Sequence, residues 1–444
     1  MNVSLARTAI YHGATVLNYV RVTELLKDDL GRVIGAVLKD QETKEEYRVQ
    51  TRVTVNAGGP FADSIHHLAD PKRERMLQAS SGVHIVLPSY YTPAQMGLLD
   101  PKTKDGRVLF FLPWNGNTLA GTTDVSEDPL KTVTSEPIPR KIEIEFILEG
   151  VSRYLAVPVR ESDVLAAWSG IRPLVKPEVE DHPDDTKSTV RSHVVKIDVT
   201  SGIVSILGGK WTTYRRMASD TIDVVCSMLG HGDEKKSSTR ETYLIGAHGY
   251  RPLGYLQLIQ HFGLPTDVAT HLHKSYGDRA LNVLMHAEPC QARWPPIGIR
   301  LCPTYPILEA EVRYAVRQEF ALHADDVLGR RTRLAFLSVQ AAKDALPRTL
   351  EIMQEELGWT DQVRKQEEQR AMHFLHSMGL EHVKEARAEM NKQQFLLLKK
   401  LYKDDPNSKR DVRPIIGEMN VAVDPIDTLM TLQELLDYMD VNKK

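Results

Sequence analysis

The sequence predicts an α/β fold that continues into a helical region. The first observation is the stretch 203–216, where a buried apolar strand runs through Gly208 and Gly209 into a helix. The second is the order of elements over residues 3–68: helix, strand, antiparallel meander, buried strand, glycine turn and helix. The third is the helical periodicity that follows residue 255 almost without interruption.

The composition excludes several classes of protein. A chain of 444 residues is long enough for two or three domains, and a net charge of −3 gives no sign of nucleic-acid binding. Three widely spaced cysteines form no disulfide framework and no Cys-rich zinc motif, which fits a reducing compartment. No apolar run approaches the roughly 18 residues of a spanning helix. Residues 1–8 lack the pattern of a signal peptide.

The first 70 residues follow the pattern of half a nucleotide-binding domain. A helix over 3–12 precedes a short buried strand at 14–19, and strands at 21–26, 33–39 and 46–50 form a meander. A largely buried strand at 52–56 then enters the turn Ala57-Gly58-Gly59-Pro60 and a helix at 61–68. This order is typical of the second half of a dinucleotide-binding domain. No Gly-x-Gly-x-x-Gly loop follows a leading strand, so the usual pyrophosphate cradle is absent from the sequence.

The middle of the chain predicts an antiparallel sheet with one helix. The predicted strands are 82–88, 108–113, 118–124, 164–170 and 171–175, with Asn115-Gly116 as a hairpin turn and a helix at 140–154. Strands at 190–199 and 203–207 lead back to the first domain. Helices are then predicted at 255–262, 267–276, 279–286, 307–319, 335–346, 350–355 and 360–378, and the last segment reads as helix, polar loop, helix.

The junction after the strand at 203–207 has two interpretations. Gly208 and Gly209 permit a sharp turn and a close approach, Lys210 adds a positive charge, and Thr212 or Thr213 can cap the next helix. The free N–H groups of a helix N-terminus favour an anion or an electron-rich ring. An ordinary β-turn-α connection with a surface lysine is the alternative.

Two further residues are candidates for chemistry. His84 lies in an apolar strand and is either a core residue or a base. Arg172 lies in a mostly apolar stretch and needs a partner, either a structural carboxylate or an anionic ligand such as phosphate. The run Gly121-Thr122-Thr123-Asp124 is either a turn or a polar wall.

These stretches together resemble one family. The run 55–63 resembles the second flavin-binding strand of the D-amino-acid-oxidase-like flavoproteins. The stretches 81–86, 113–124, 168–174 and 208–215 are similar to the FAD-dependent glycerol-3-phosphate dehydrogenases, and 325–333 is similar to the signature of their C-terminal helical domain. The resemblance covers nearly the whole chain in one order and is strongest to the mitochondrial, quinone-linked type.

The resemblance implies oxidation of sn-glycerol 3-phosphate to dihydroxyacetone phosphate with FAD as cofactor. It implies His84 as the base, Arg172 as the phosphate clamp and Lys210 beside both flavin and substrate. Lys210 and the helix end would balance the negative charge that reduced flavin gathers at its N1–C2=O edge. It implies no metal ligands. The cofactor-binding residues it implies are Val22, Ala57, Gly58, Gly208, Gly209, Lys210, Trp211, Thr212 and Thr213.

The resemblance also implies an organisation and a setting. Residues 1–75 and 165–232 would form an incomplete FAD-binding, Rossmann-like domain, with an inserted substrate-binding sheet at 76–164. A helical domain at 240–388 and a degenerate or truncated EF-hand region at 389–444 would follow. The implied partners are ubiquinone, the surface of the mitochondrial inner membrane and, as one option, a second copy in a homodimer. No nucleic acid is implied.

Two features depart from the family pattern and leave alternatives open. The chain lacks the Gly-rich FAD loop and a complete EF-hand loop, so we expect a fragment or a short isoform. One alternative is a non-catalytic flavoprotein remnant that acts as a partner or regulatory subunit. Another is an amine or amino-acid oxidase of the same superfamily, since arginine also binds carboxylates.

Overall fold

The structure is a computed structural model that describes residues 1–101, 108–127, 133–156, 158–176, 192–231, 237–290 and 294–404; the side chains of 127, 391 and 394–404 are not described. Three sheets and a helical region make up this part of the chain. The predicted combination of a mixed α/β part and a helical part is confirmed. Of the predicted EF-hand region, residues 405–444 lie outside the described residues.

The N-terminal part forms a helix and a meander. α1 (Asn2–Tyr11) precedes β1 (Val20–Lys27), β2 (Val33–Asp40) and β3 (Glu46–Gln50), which pair antiparallel in that order. The strand predicted at 14–19 is wrong, because this segment pairs with no strand in the described chain and is largely exposed. Its apolar composition suggested burial, but a strand forms only beside a partner that takes up its N–H and C=O groups.

The buried strand predicted at 52–56 is much shorter in the structure than predicted. β4 covers only Val55–Asn56, and a turn leads from it into α2 (Ala62–Ala69). The Val55 side chain is exposed, whereas Asn56 is buried. Asn56 is buried although it is polar, because its side chain forms hydrogen bonds with the turn that follows.

An antiparallel sheet occupies the middle of the chain, as predicted. Its strands are β5 (Leu77–Pro88), β6 (Leu98–Asp100), β7 (Leu109–Trp114), β8 (Asn117–Gly121), β9 (Val125–Glu127) and, after helix α3 (Lys141–Ser152), β10 (Ala166–Val175). The order is β10-β5-β8-β7-β6, and β9 pairs with the beginning of β5. The predicted turn at Asn115 and Gly116 is confirmed, since both have positive φ. The two strands predicted over 164–175 are one continuous strand.

A third sheet completes the α/β part. β11 (His193–Ile197) pairs antiparallel with β12 (Val204–Gly208), and β4 lies parallel to β12 on its other side. The chain then enters α4 (Tyr214–Met228). Two residues of the strand predicted at 190–199, namely 190 and 191, lie outside the described residues.

Helices follow to the end of the described chain. They are α5 (Gly254–Phe262), α6 (Thr266–Tyr276), α7 (Ala280–Leu284), α8 (Glu309–Glu319), α9 (Leu334–Leu337), α10 (Val339–Leu357), α11 (Asp361–Ser377) and α12 (Leu380–Asp404). The prediction of two separate helices at 335–346 and 350–355 is wrong, because α10 continues through Pro347 without a break. Asp326–Arg331 forms a π-helical turn before α9.

One hydrophobic core joins the central sheet to the helical region. Val83 and Ile85 of β5 belong to the same buried cluster as Ile144 and Ile147 of α3. The cluster extends into the helical region through Val327, Leu328, Val339, Ala342, Leu346, Phe374 and Leu375. Burial of this much apolar surface holds the sheet rigidly, so the side chains along β5 and β10 have fixed positions.

The helical region also contacts the N-terminal segment. The Tyr19 hydroxyl donates to Asp326 Oδ1 at 2.8 Å, and the Arg370 guanidinium lies 5.4 Å from the centre of the Tyr19 ring. Asp325 forms ion pairs with Arg330 and Arg370. The acidic and basic residues of the 325–333 signature thus contact each other and the segment before β1.

The described residues contain neither a membrane-spanning helix nor a metal-binding cluster of side chains. No helix there combines the length and hydropathy needed to span a lipid bilayer. No group of three or more His, Cys, Asp or Glu side chains there is placed to hold a metal ion.

Candidate active site

His84 lies in the middle of β5 with a ring that no described residue hydrogen-bonds. Trp168 on β10 and Gly121 on β8 lie directly opposite it. The Trp168 ring is stacked on the imidazole at 6.0 Å with an interplanar angle of 12°, and the Phe110 ring lies 5.6 Å away. Burial, together with the charge of Arg172, lowers the pKa of His84 to about 4. The imidazole is therefore neutral at physiological pH, and a ring nitrogen is free to accept a proton.

Arg172 lies on β10 opposite Ser80, and protein atoms hold its guanidinium. Nη1 donates to Ser81 O and Asp124 Oδ1, both at 3.2 Å. Nη2 donates to Thr122 Oγ1 at 2.8 Å and to Thr123 O at 3.0 Å. The predicted polar wall at 121–124 is therefore present. The structural carboxylate, one of the two partners expected for this arginine, is Asp124.

Glycines separate His84 from Arg172 on one face of the sheet. Because side chains alternate along a strand, residues 80, 82 and 84 of β5 and 168, 170 and 172 of β10 share that face. Gly82 pairs with Gly170, and a Cβ at Gly82 would overlap the guanidinium of Arg172. A Cβ at Gly170 would meet no atom within 4 Å. The guanidinium therefore covers Gly82, and the open backbone beside the imidazole and the guanidinium is that of Gly170, over which a small molecule can lie.

The Gly208-Gly209 junction lies against the end of β10 that carries Arg172. Both glycines have positive φ, +66° and +80°, which side-chain-bearing residues rarely adopt. A Cβ at Gly208 would lie 2.9 Å from Val175 Cγ2 and 3.7 Å from Pro173 O. The sharp turn predicted here is confirmed, and it lies beside Pro173 and Val175 of β10.

Lys210 and its neighbours are exposed at the start of α4. Within the described chain the Lys210 side chain makes no hydrogen bond or ion pair, and Trp211 is 61% exposed and stacked on Tyr214. The predicted threonine cap is wrong: Thr213 Oγ1 donates to Lys210 O at 3.0 Å, and no side chain caps the helix. The N–H groups at this helix end therefore have no side-chain acceptor, which leaves them available to a ligand.

The Ala57-Gly58 turn lies at the same edge of the third sheet. β4 and β12 are parallel, with Val55 opposite Val204, so their carboxyl ends point the same way. The buried Asn56 holds the turn: its Nδ2 donates to Ala62 O at 2.9 Å and its Oδ1 accepts from Gly58 N at 3.1 Å. Both glycine turns predicted for the cofactor thus follow parallel strands at the same end of this sheet.

Val22, the remaining cofactor candidate, lies elsewhere. It pairs with Leu38 inside the separate β1-β2-β3 sheet, and its side chain is partly exposed. The structure does not place it on the edge formed by the two glycine turns.

Sequence reasoning left several residues of this arrangement without a role. Asp124 and Thr122 bind Arg172, Trp168 stacks on His84, and Asn56 shapes a turn. Strand alternation was the available signal for Trp168, since 168, 170 and 172 must share a face. Asp124 gave no such signal, because it lies beyond the end of β8.

Two family models match the chain. Residues 1–215 match the family described as FAD dependent oxidoreductase, and residues 237–364 match the C-terminal domain of alpha-glycerophosphate oxidase. The mitochondrial glycerol-3-phosphate dehydrogenase of Mus musculus is 44% identical over 465 residues, and the probable one of Caenorhabditis elegans is 42% identical over 457; each alignment includes 100% of this chain. The chain is a homologue of the mitochondrial glycerol-3-phosphate dehydrogenases.

A solved structure resembles this homologue as well. The glycerol-3-phosphate dehydrogenase of Bacillus halodurans, determined in complex with FAD, superimposes with a TM-score of 0.69 at 26% identity. That match covers 85% of the chain and 72% of the bacterial protein. The chain spans 62% of the length of the two curated relatives named above.

Proposed function

We propose that the chain oxidises sn-glycerol 3-phosphate to dihydroxyacetone phosphate with FAD and passes the electrons to ubiquinone. The observation that carries the proposal is that His84, neutral and with no hydrogen-bond partner among the described residues, shares one sheet face with Arg172 beside the open backbone of Gly170. Oxidation of a phosphorylated alcohol needs a base for the hydroxyl proton and a cation for the phosphate. Both groups lie on one open surface.

The proposed roles follow from the position of each side chain. Arg172 binds the phosphate, and the C2 hydroxyl is then within reach of His84 across the glycine surface. His84 accepts the hydroxyl proton at a ring nitrogen while the C2 hydrogen leaves with its electron pair, so that the alcohol becomes a ketone. FAD, when bound, supplies the acceptor for that hydride. Lys210 adds a second positive charge that favours the anionic substrate.

The residues at the sheet edge fit a flavin cofactor. The turns after β4 and β12 are built from glycine where backbone must come close to another group, and the helix end after Lys210 has no capping side chain. These features suit an electron-rich ring held by backbone N–H groups and a lysine. We propose that the cofactor is held by Ala57, Gly58, Gly208, Gly209, Lys210, Trp211, Thr212 and Thr213, with Val22 on the adenosine side.

The proposed setting is the mitochondrion, with the protein bound to the surface of the inner membrane. The names of the relatives support the mitochondrion, since the sequences aligned along the whole chain are called mitochondrial. A quinone is lipid-soluble, so an acceptor of this kind requires access to the membrane. A homodimer is part of the same proposal.

One experiment tests the proposal directly. The full chain is purified, its visible flavin absorbance is recorded before and after addition of FAD, and dye reduction is followed with sn-glycerol 3-phosphate and with glycerol as a matched substrate without phosphate. Flavin bands and dye reduction that requires the phosphate support the proposal. A colourless protein that stays inactive with added FAD would refute it and favour a non-catalytic role.

A further inference from the structure

Asp124 already occupies the guanidinium to which the proposed substrate would bind. Its Oδ1 lies 3.2 Å from Arg172 Nη1 and also accepts the Ser80 hydroxyl. Both side chains of the ion pair are about one-third exposed, so the pair faces the open side of the sheet. A carboxylate oxygen thus stands where an oxygen of an incoming anion would bind.

The other bonds of Arg172 decide what Asp124 does. Ser81 O, Thr122 Oγ1 and Thr123 O hold the guanidinium independently of the carboxylate, and Gly82 provides the flat surface beneath it. The remaining N–H, on Nε, has no partner among the described residues. The orientation of the arginine therefore does not depend on Asp124. What Asp124 alone contributes is a negative charge.

We propose that Asp124 is a specificity-determining residue. It acts as the counter-ion of Arg172 in the free protein, and a phosphate must either displace this carboxylate or share the guanidinium with it. This inference rests on the proposed function of Arg172 as the phosphate-binding residue. Displacement of a partly exposed ion pair costs little, because such pairs contribute little to stability. A monoanion gains little by replacing a carboxylate of equal charge, whereas a dianion is attracted more strongly to the guanidinium and displaces the carboxylate.

The test is the affinity of the full chain for inorganic phosphate and for sn-glycerol 3-phosphate, measured by calorimetry. Asp124→Asn keeps an oxygen that accepts from Arg172 and Ser80 but removes the charge, so we expect both dissociation constants to fall by about threefold to fivefold. Asp267→Asn is the matched control, because Asp267 also pairs with an arginine, Arg300, at 2.7 Å in the helical region. It should bind phosphate like the unchanged protein.

The outcomes separate this inference from the proposed function. Equal or weaker phosphate binding by Asp124→Asn would overturn the counter-ion role, whether or not the chain oxidises glycerol 3-phosphate. Binding that appears in Asp124→Asn and is undetectable in the unchanged protein would support it. If the asparagine variant fails to fold, Asp124→Ser takes its place, with the same expected direction. Failure of the proposed function would instead appear as absence of substrate-dependent flavin reduction.

Discussion

Arg172 is the residue on which phosphate recognition depends in the proposed reaction. Arg172→Lys keeps one positive charge but loses the planar group that makes four hydrogen bonds. Removal of a charged partner typically costs about 2–5 kcal/mol, and lysine should recover part of this, so we expect KM for glycerol 3-phosphate to rise roughly 10- to 100-fold with kcat changed much less. Steady-state kinetics measures both.

The control for this substitution is Arg300→Lys, which alters a partly exposed arginine that pairs with Asp267. It should leave KM unchanged. A KM that is also unchanged in Arg172→Lys would remove Arg172 from the substrate site.

His84 determines how the proposed reaction depends on pH. Burial, with the Arg172 charge, lowers the pKa of His84 to about 4, so the neutral base persists well below pH 6.5. We expect kcat/KM to show no loss from His84 between pH 8 and 5 and to fall only as pH drops through about 4. His84→Gln should lower kcat by roughly 10²- to 10⁴-fold and remove that dependence.

The measurement is a pH profile of kcat/KM, with the second ionisation of the phosphate, near pH 6, fitted separately from titration of the substrate. An inflection near pH 6.5 that disappears in His84→Gln would contradict the low pKa. It would show that the imidazole is more accessible to water than its contacts with Trp168 and Phe110 allow.

At the scale of elements, the role of the glycine junction after β12 can be tested by comparing it with another glycine turn of similar positive φ. Gly202 and Gly208 both have positive φ, but a Cβ at Gly202 would meet nothing within 4 Å, whereas one at Gly208 would press on Val175. Gly202→Ala should lose about 1–2 kcal/mol of stability from backbone strain, and Gly208→Ala should lose more because its Cβ also displaces Val175. Only Gly208→Ala should also lose flavin retention.

Thermal unfolding and visible flavin absorbance of the two variants distinguish these effects. Equal flavin content in both variants would mean that the junction is an ordinary turn, the alternative that its sequence leaves open.

The same elements show how far the sequence predicts this site. Strand alternation places His84 and Arg172 on open strand faces, but only the pairing register puts Trp168 opposite His84 and Ser80 opposite Arg172. The segment at 14–19, which pairs with no described strand, and the short β4 have strand-like composition, so pairing rather than composition decides the outcome. Thr213 illustrates the same limit, since its hydroxyl bonds backward to Lys210 O instead of capping α4.

At the scale of the whole molecule, His323 connects the helical region to the meander. Its Nδ1 lies 2.8 Å from Glu367 Oε1 on α11, and its Nε2 lies 3.1 Å from Glu42 Oε1 in the β2–β3 turn. The Tyr19 ring packs edge-on against the imidazole at 4.6 Å. An imidazole that hydrogen-bonds to a carboxylate through each of its two nitrogens forms the strongest bonds when it is protonated and positively charged.

The charge state of His323 therefore sets how firmly the two parts contact each other. Burial lowers the pKa of His323 and the Arg370 charge opposes protonation, but the hydrogen bond and charge of Glu367, with Glu42, raise it overall. A histidine with a raised folded-state pKa contributes stability that is fully present below the unfolded value of 6.5. That contribution is lost as pH rises through the folded-state pKa.

We expect the thermal midpoint of His323→Gln to lie below that of the unchanged chain at pH 5.5 and to approach it as pH rises to 8.5. Glu42→Gln should reduce this pH dependence, because it removes one of the two carboxylates that favour the imidazolium. Glu46→Gln, which alters an exposed carboxylate of the neighbouring strand paired with Lys39, serves as the matched control and should leave the dependence intact. If the difference in thermal midpoint between the unchanged chain and His323→Gln stays constant or widens as pH rises, the imidazole is held neutral. The contact between the helical region and the meander would then rest on the Tyr19–Asp326 bond and on packing instead.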